Sequence, residues 1–249
     1  MKVGLGGLLL TAAIALSAPA YAATTITFQN GGTKHGSGAG DYYTYNVNVG
    51  GQAVTLTATG WTDDTSYNPD RIKSADLELY TGSNYGFGVT ASGDSANNDT
   101  HTVDNVGSTK DFIVLKFSTA VDLTSAYFNV FDVNPYGSAD GDATVYYKNG
   151  ATAPTNNEYT SNFFSQLTAI DVPGSHSGSR SVAGPGIFSD TWVVAADMDQ
   201  SNDAFKLYSI TVNGMPAVPE PASWGLMIVG AGLVGSQLRR RQSVAGAVA

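Results

Sequence analysis

Between residues 41 and 60 the chain alternates apolar and polar side chains with a period of two, and the pattern is broken once, by Gly50-Gly51. This spacing puts Tyr43, Tyr45, Val47 and Val49 on one face of a strand and Tyr42, Thr44, Asn46 and Asn48 on the other. The return run sets Val54, Leu56 and Ala58 against Thr55, Thr57 and Thr59. Two alternating runs joined by two glycines specify a β-hairpin. Short strand signals bounded by Gly, Asn, Asp and Pro recur at residues 75–80, 86–91, 101–105, 111–117, 125–133, 143–147, 188–195 and 205–212, giving ten or eleven strands. Residues 112–117, apolar but for Lys116, predict an interior strand. Residues 151–181, rich in Asn, Ser, Thr, Gly and Pro, predict a long surface loop with at most one short helix or edge strand. The fold class expected is all-β, a jelly-roll-like β-sandwich.

Composition supports this. Of 21 acidic residues only Glu78, Glu158 and Glu220 are Glu, so loop-forming Asp stands almost everywhere that helix-forming Glu could. No Cys is present, so no disulfide holds the fold.

The two ends differ from this body. Met1-Lys2, an apolar run over residues 3–16 and Ala20-Tyr21-Ala22 have the form of a secretory signal, with cleavage expected after Ala22. At the other end, residues 222–238 carry no charge and are followed by Arg239, Arg240 and Arg241, which predicts a single transmembrane helix with a positive cytoplasmic stop. The expected organisation is a signal peptide at 1–22, an extracytoplasmic β-domain at 23–216 and a C-terminal sorting segment at 217–249. The β-domain holds 8 basic and 20 acidic residues, a net charge of −12, which disfavours nucleic acid and anionic lipid as partners.

Pro219, Glu220 and Pro221, with Trp224 three residues on, the apolar segment and the arginine run, resemble the PEP-CTERM signal of Gram-negative bacteria. The resemblance implies transient residence in the inner membrane, recognition by an exosortase-like processing peptidase, and release or attachment at the cell surface. A second similarity covers about 50 residues up to Asp132. Gly86-Phe87-Gly88-Val89, Asp104-Asn105 and the strand from Asp111 to Phe117 are similar to the middle of a group of exosortase-dependent surface proteins. That group is defined by export and a β-domain, so the similarity implies architecture and location.

For chemistry, the densest oxygen-rich stretch is the loop holding Asp132, Asn134, Asp140 and Asp142. Calcium takes six to eight oxygen ligands, and these residues, with Asp104, form the candidate set. The spacing is not that of an EF-hand, and Asp-Gly and Asn-Pro are ordinary turn formers, so a solvated loop is the alternative. Asp76 and Glu78, two apart on a strand, have the minimum geometry of a glycosidase carboxylate pair, or of residues on a solvated face. His35, His101 and His176 are too widely spaced to suggest a transition-metal site, and Gly174-Ser175-His176-Ser177-Gly178 has His where a nucleophile elbow needs Ser. The isolated Thr55, Thr57 and Thr59 row makes ice binding a remote reading. Exposed aromatics such as Trp61, Tyr67, Tyr80, Tyr85 and Tyr136 could stack on sugar rings. The expectation is a non-enzymatic protein of the cell surface or extracellular matrix that acts in adhesion, biofilm structure or polysaccharide contact, with a secreted carbohydrate-active enzyme or carbohydrate-binding module as the alternative.

Overall fold

The computed structural model describes residues 22–82, 85–92, 101–107, 109–132, 140–182, 184, 186–200, 202–215 and 227–236. Ala20, Asn134, Pro219, Glu220, Pro221, Trp224, Arg239, Arg240 and Arg241 lie outside them.

Among the described residues the chain forms β1 (Ala23–Thr27), β2 (Thr33–His35), β3 (Tyr42–Val49), β4 (Gln52–Asp64), β5 (Arg71–Ser74), β6 (Asp76–Leu79), β7 (Phe87–Thr90), β8 (Val103–Asp104), β9 (Thr109–Val130) and β10 (Ala143–Tyr147). Helix α1 (Thr160–Phe164), β11 (Thr168–Val172), β12 (Gly178–Ser181), β13 (Phe188–Ala196) and β14 (Ala204–Gly214) follow. The described residues are mostly β-strand with few helices, and the strands form one hydrogen-bonded network folded into two layers around a common core. The β3–β4 hairpin has the expected register, from Val49↔Gln52 to Tyr42↔Thr59. Gly50 (φ 60°) and Gly51 (φ 89°) supply the two left-handed residues that a tight hairpin turn requires.

The long strand β9 belongs to both layers. Its first half pairs with β4 on one side and β13 on the other, and β13 continues to β10 and β11. Its second half pairs with β14 and β12, and β14 continues to β1, β7 and β8. Two separate strands, 111–117 and 125–133, were the expectation here. The chain between them, Ser118-Thr119-Ala120-Val121-Asp122-Leu123-Thr124, contains no Gly, Pro or Asn to stop a strand, and it carries the β-conformation across from one layer to the other.

Between the layers lies the main core. Tyr45, Leu56, Ile113, Leu115, Phe117, Trp192 and Val194 come from one sheet and Leu123, Phe128, Phe205, Leu207, Ile210 and Val212 from the other. The Trp192 indole is fully buried and its Nε1 donates to the carbonyls of Ser189 (3.1 Å) and Val121 (3.3 Å), so no polar atom of that ring is stranded.

A second, smaller core explains why residues 112–115 are apolar on both faces. The outward side chains Phe112, Val114, Val193 and Ala195 are covered by Phe163 and Phe164 of α1, together with Ile72. The stretch 151–181 is therefore more than a loop. Residues 156–159 hydrogen-bond to the outer edge of β5, through Asn157 N to Ile72 O (2.8 Å) and Ile72 N to Glu158 O (2.9 Å). Helix α1 then caps the sheet, and β11 and β12 each add to a layer. Its polar composition reads as loop because its apolar anchors are few and scattered, Phe163, Phe164 and Leu167 in the smaller core and Ile170 and Val172 in the main one.

Candidate cation site

At one end of the sandwich three strand ends meet. Asp142 stands immediately before β10, Asp203 immediately before β14, and Asn105 immediately after β8. A parallel bridge between Asp140 and Asp203, with Ala204 N donating to Asp140 O (2.9 Å), ties the first two segments. The β8–β14 pairing brings in the third. As a result, carboxylate oxygens of Asp140, Asp142 and Asp203 lie within 4.8 Å of one another.

Asp203 is fully buried and is the organising residue. Its Oδ2 accepts from Asn105 Nδ2 (2.7 Å) and its Oδ1 from Asp142 N (3.2 Å), while its own N–H donates to Asn105 Oδ1 (2.8 Å). Burial pushes its carboxyl up to about 6, and repulsion from Asp140 and Asp142 adds to that, against the opposing pull of the Asn105 hydrogen bond. Asp142 accepts from the Gly174 amide and from Gln200 Nε2 (3.2 Å). Asp140 accepts from Gly141 N (2.9 Å). Arg180 lies close enough to interact with all three carboxylates, and its guanidinium donates to the carbonyls of Gly141 and His176 and packs 4.9 Å from the Phe128 ring centre. Burial lowers its pKa although all three carboxylates act to raise it. Three acids whose oxygens approach one another, with Arg180 beside them, offer three of the six to eight hard oxygens that calcium takes.

Of the expected set, Asp140 and Asp142 come together among the described residues, and Asp203 joins them. Asp104 is not in the group: its Oδ2 accepts from Thr102 Oγ1 (2.8 Å) and its Oδ1 from Val106 N (3.1 Å), an Asx-type turn at a strand end. Asp132 is exposed and also outside it. Asp203 sits in an unremarkable turn sequence. The one local hint was that Asp142-Ala143 and Asp203-Ala204 both set an Asp directly before an apolar strand.

Asp76 and Glu78 each have separate partners. Asp76 lies 3.6 Å from Lys34 Nζ, which also holds the buried Asp41 at 2.5 Å; burial first and Asp41 second raise the Asp76 pKa. Glu78 accepts from the Tyr80 hydroxyl and lies 3.6 Å from His101 Nδ1.

Residues 217–241 match the PEP-CTERM protein-sorting motif. The motif implies processing by an exosortase, a membrane peptidase, and membrane-associated sorting in Gram-negative bacteria. No curated protein and no solved structure matches the chain. Among the described residues no helix is long and apolar enough to cross a membrane; residues 227–236 are helical, with Met227, Ile228, Val229, Leu233 and Val234 exposed.

Proposed function

We propose that this chain is an exosortase-sorted protein of the cell surface or extracellular matrix whose β-sandwich is non-enzymatic and acts by contact, in adhesion, biofilm structure or binding of extracellular polysaccharide. The observation that carries the reading is the sorting motif at 217–241 attached to a body of net charge −12. In this reading the leader over residues 1–22 starts export, and the uncharged segment 222–238 spans the inner membrane until the exosortase acts. The exposed apolar helix at 227–236 falls inside that segment and has the surface an anchor needs. A jelly-roll-like wrapping is our reading of the connectivity. The test is mass spectrometry of envelope and medium fractions from cells with and without the exosortase. We expect a C-terminally trimmed body at the surface or in the medium only when the peptidase is present. An intact chain at the inner membrane in both strains would refute the proposal.

A second reading concerns calcium, and the convergence of Asp140, Asp142 and Asp203 favours it. An ion bound only by the folded state stabilises it by mass action. The chain is expected to melt at a higher temperature in millimolar CaCl2 than in chelator, by more than NaCl of equal ionic strength achieves. Asp203→Asn and Asp142→Ala should each abolish the excess. Equal shifts with the two salts would reject the site.

A further inference from the structure

We propose that a polar groove beside β5, well outside the acidic cluster, binds a neutral polysaccharide through Tyr67 and Tyr159; the proposal rests on the polysaccharide-contact reading above and gives it a place. Two depressions, of about 420 Å³ and 590 Å³, flank the segment paired to the β5 edge, and Asn156 and Asn157 line both, so the two adjoin along that segment. Tyr67 lines the first and is 48% exposed; Tyr159 lines the second and is 38% exposed.

The charges in the groove balance and are engaged internally. Lys73 and Asp64 line one depression, Arg71 and Glu158 the other. Lys73 Nζ donates to Asn157 Oδ1 (2.5 Å) and sits 4.7 Å from the Tyr67 ring centre; Arg71 donates to Asn157 O (2.7 Å) with Cζ 3.9 Å from the Tyr159 ring centre. Asp64 accepts from the Ser66 amide and hydroxyl, and Glu158 from those of Thr155. A body of net charge −12 therefore presents here a surface without excess charge, made of amides, hydroxyls and two aromatic rings. Sugar rings present the matching features, C–H faces for stacking and hydroxyls for bonding amides, whereas a uronate or phosphate would need a free cation.

The groove is also rigid. Asn156 is clamped by Ser74, whose N–H donates to its Oδ1 (2.7 Å) and whose Oγ accepts from its Nδ2 (3.1 Å). Asn157 is held at φ 67°, a left-handed conformation, by its N–H bond to Ile72 O. The floor is thus fixed before any ligand arrives, which lowers the entropy cost of binding.

The experiment titrates the full purified chain by calorimetry with neutral hexasaccharides of β-1,4-glucan, β-1,3-glucan, α-1,4-glucan and β-1,4-mannan, and with oligogalacturonate as the anionic counterpart. At least one neutral probe should bind, with Tyr67→Ala and Tyr159→Ala each weakening it by about tenfold or more. Tyr67→Phe should retain binding, and Asn157→Gly, which keeps the left-handed backbone but removes the amide, should weaken it without lowering the melting temperature. As a check independent of variants, bound oligosaccharide should protect Tyr67 and Tyr159 of the unaltered chain from nitration. A neutral probe that binds with neither protection nor sensitivity to these variants overturns the groove while leaving polysaccharide contact standing. Binding of no neutral probe overturns both, and a preference for oligogalacturonate overturns the assignment to a neutral glycan.

Discussion

Gly88 shows what a single position can demand. A Cβ built there would overlap the carbonyl oxygen of His101, and one at Gly86 would overlap the backbone at Leu207. The Gly-x-Gly-Val turn is therefore required by β7 lying flush against its neighbours, a packing reason that needs no ligand. Asp63 carries a different constraint. It is 3% exposed and accepts from Thr160 Oγ1 at 2.5 Å, at the join between β4 and the start of α1. Burial raises its pKa above the ordinary 3.8, the Thr160 bond and Lys110 lower it, and Asp70 and Asp64 raise it. The folded state therefore holds this proton more tightly than the unfolded state. Its contribution to stability is full below the ordinary value, falls as pH rises through the folded value, and is constant above that. In urea titrations across the acidic range, Asp63→Asn should flatten the pH dependence relative to the unaltered chain. Identical slopes in the two proteins would contradict the assignment.

At the scale of elements, β9 and α1 depart most from what local pattern suggests. β9 is one strand because nothing between residues 117 and 125 breaks it, and sharing it between layers makes the two sheets one hydrogen-bonded network. Helix α1 has only five residues and no side-chain cap, too little to persist alone. It is held by burial of Phe163, 1% exposed, stacked 6.0 Å from Phe112 with Phe164 edge-on at 5.2 Å. Phe163→Ala is expected to cost about 3 kcal/mol. Hydrogen exchange should accelerate in residues 156–167 before it does in β9 or β13. Uniform acceleration throughout would mean that the smaller core is not a separable unit.

For the whole molecule, the paired hairpin, the all-β class, the scarcity of helix and the C-terminal sorting motif were legible from the chain. Each is written within a short window, as a period of two, a glycine pair, an Asp bias, or a Pro-Glu-Pro before an apolar run. The acidic site was half legible. Asp140 and Asp142 are two residues apart and announce themselves, while Asp203 is 61 residues further on and joins them only because β14 runs beside β8 and bridges to the start of β10. Tyr67 and Tyr159, 92 residues apart, likewise come to line neighbouring depressions because the segment before α1 adds to the edge of β5. The local sequence by itself determined the β3–β4 hairpin, the all-β class and the sorting motif, because backbone sterics and side-chain alternation act between near neighbours. The tertiary structure alone decided which distant acids approach one another and which tyrosines line neighbouring depressions, because sheet closure and edge pairing minimise exposed backbone and apolar surface over the entire body.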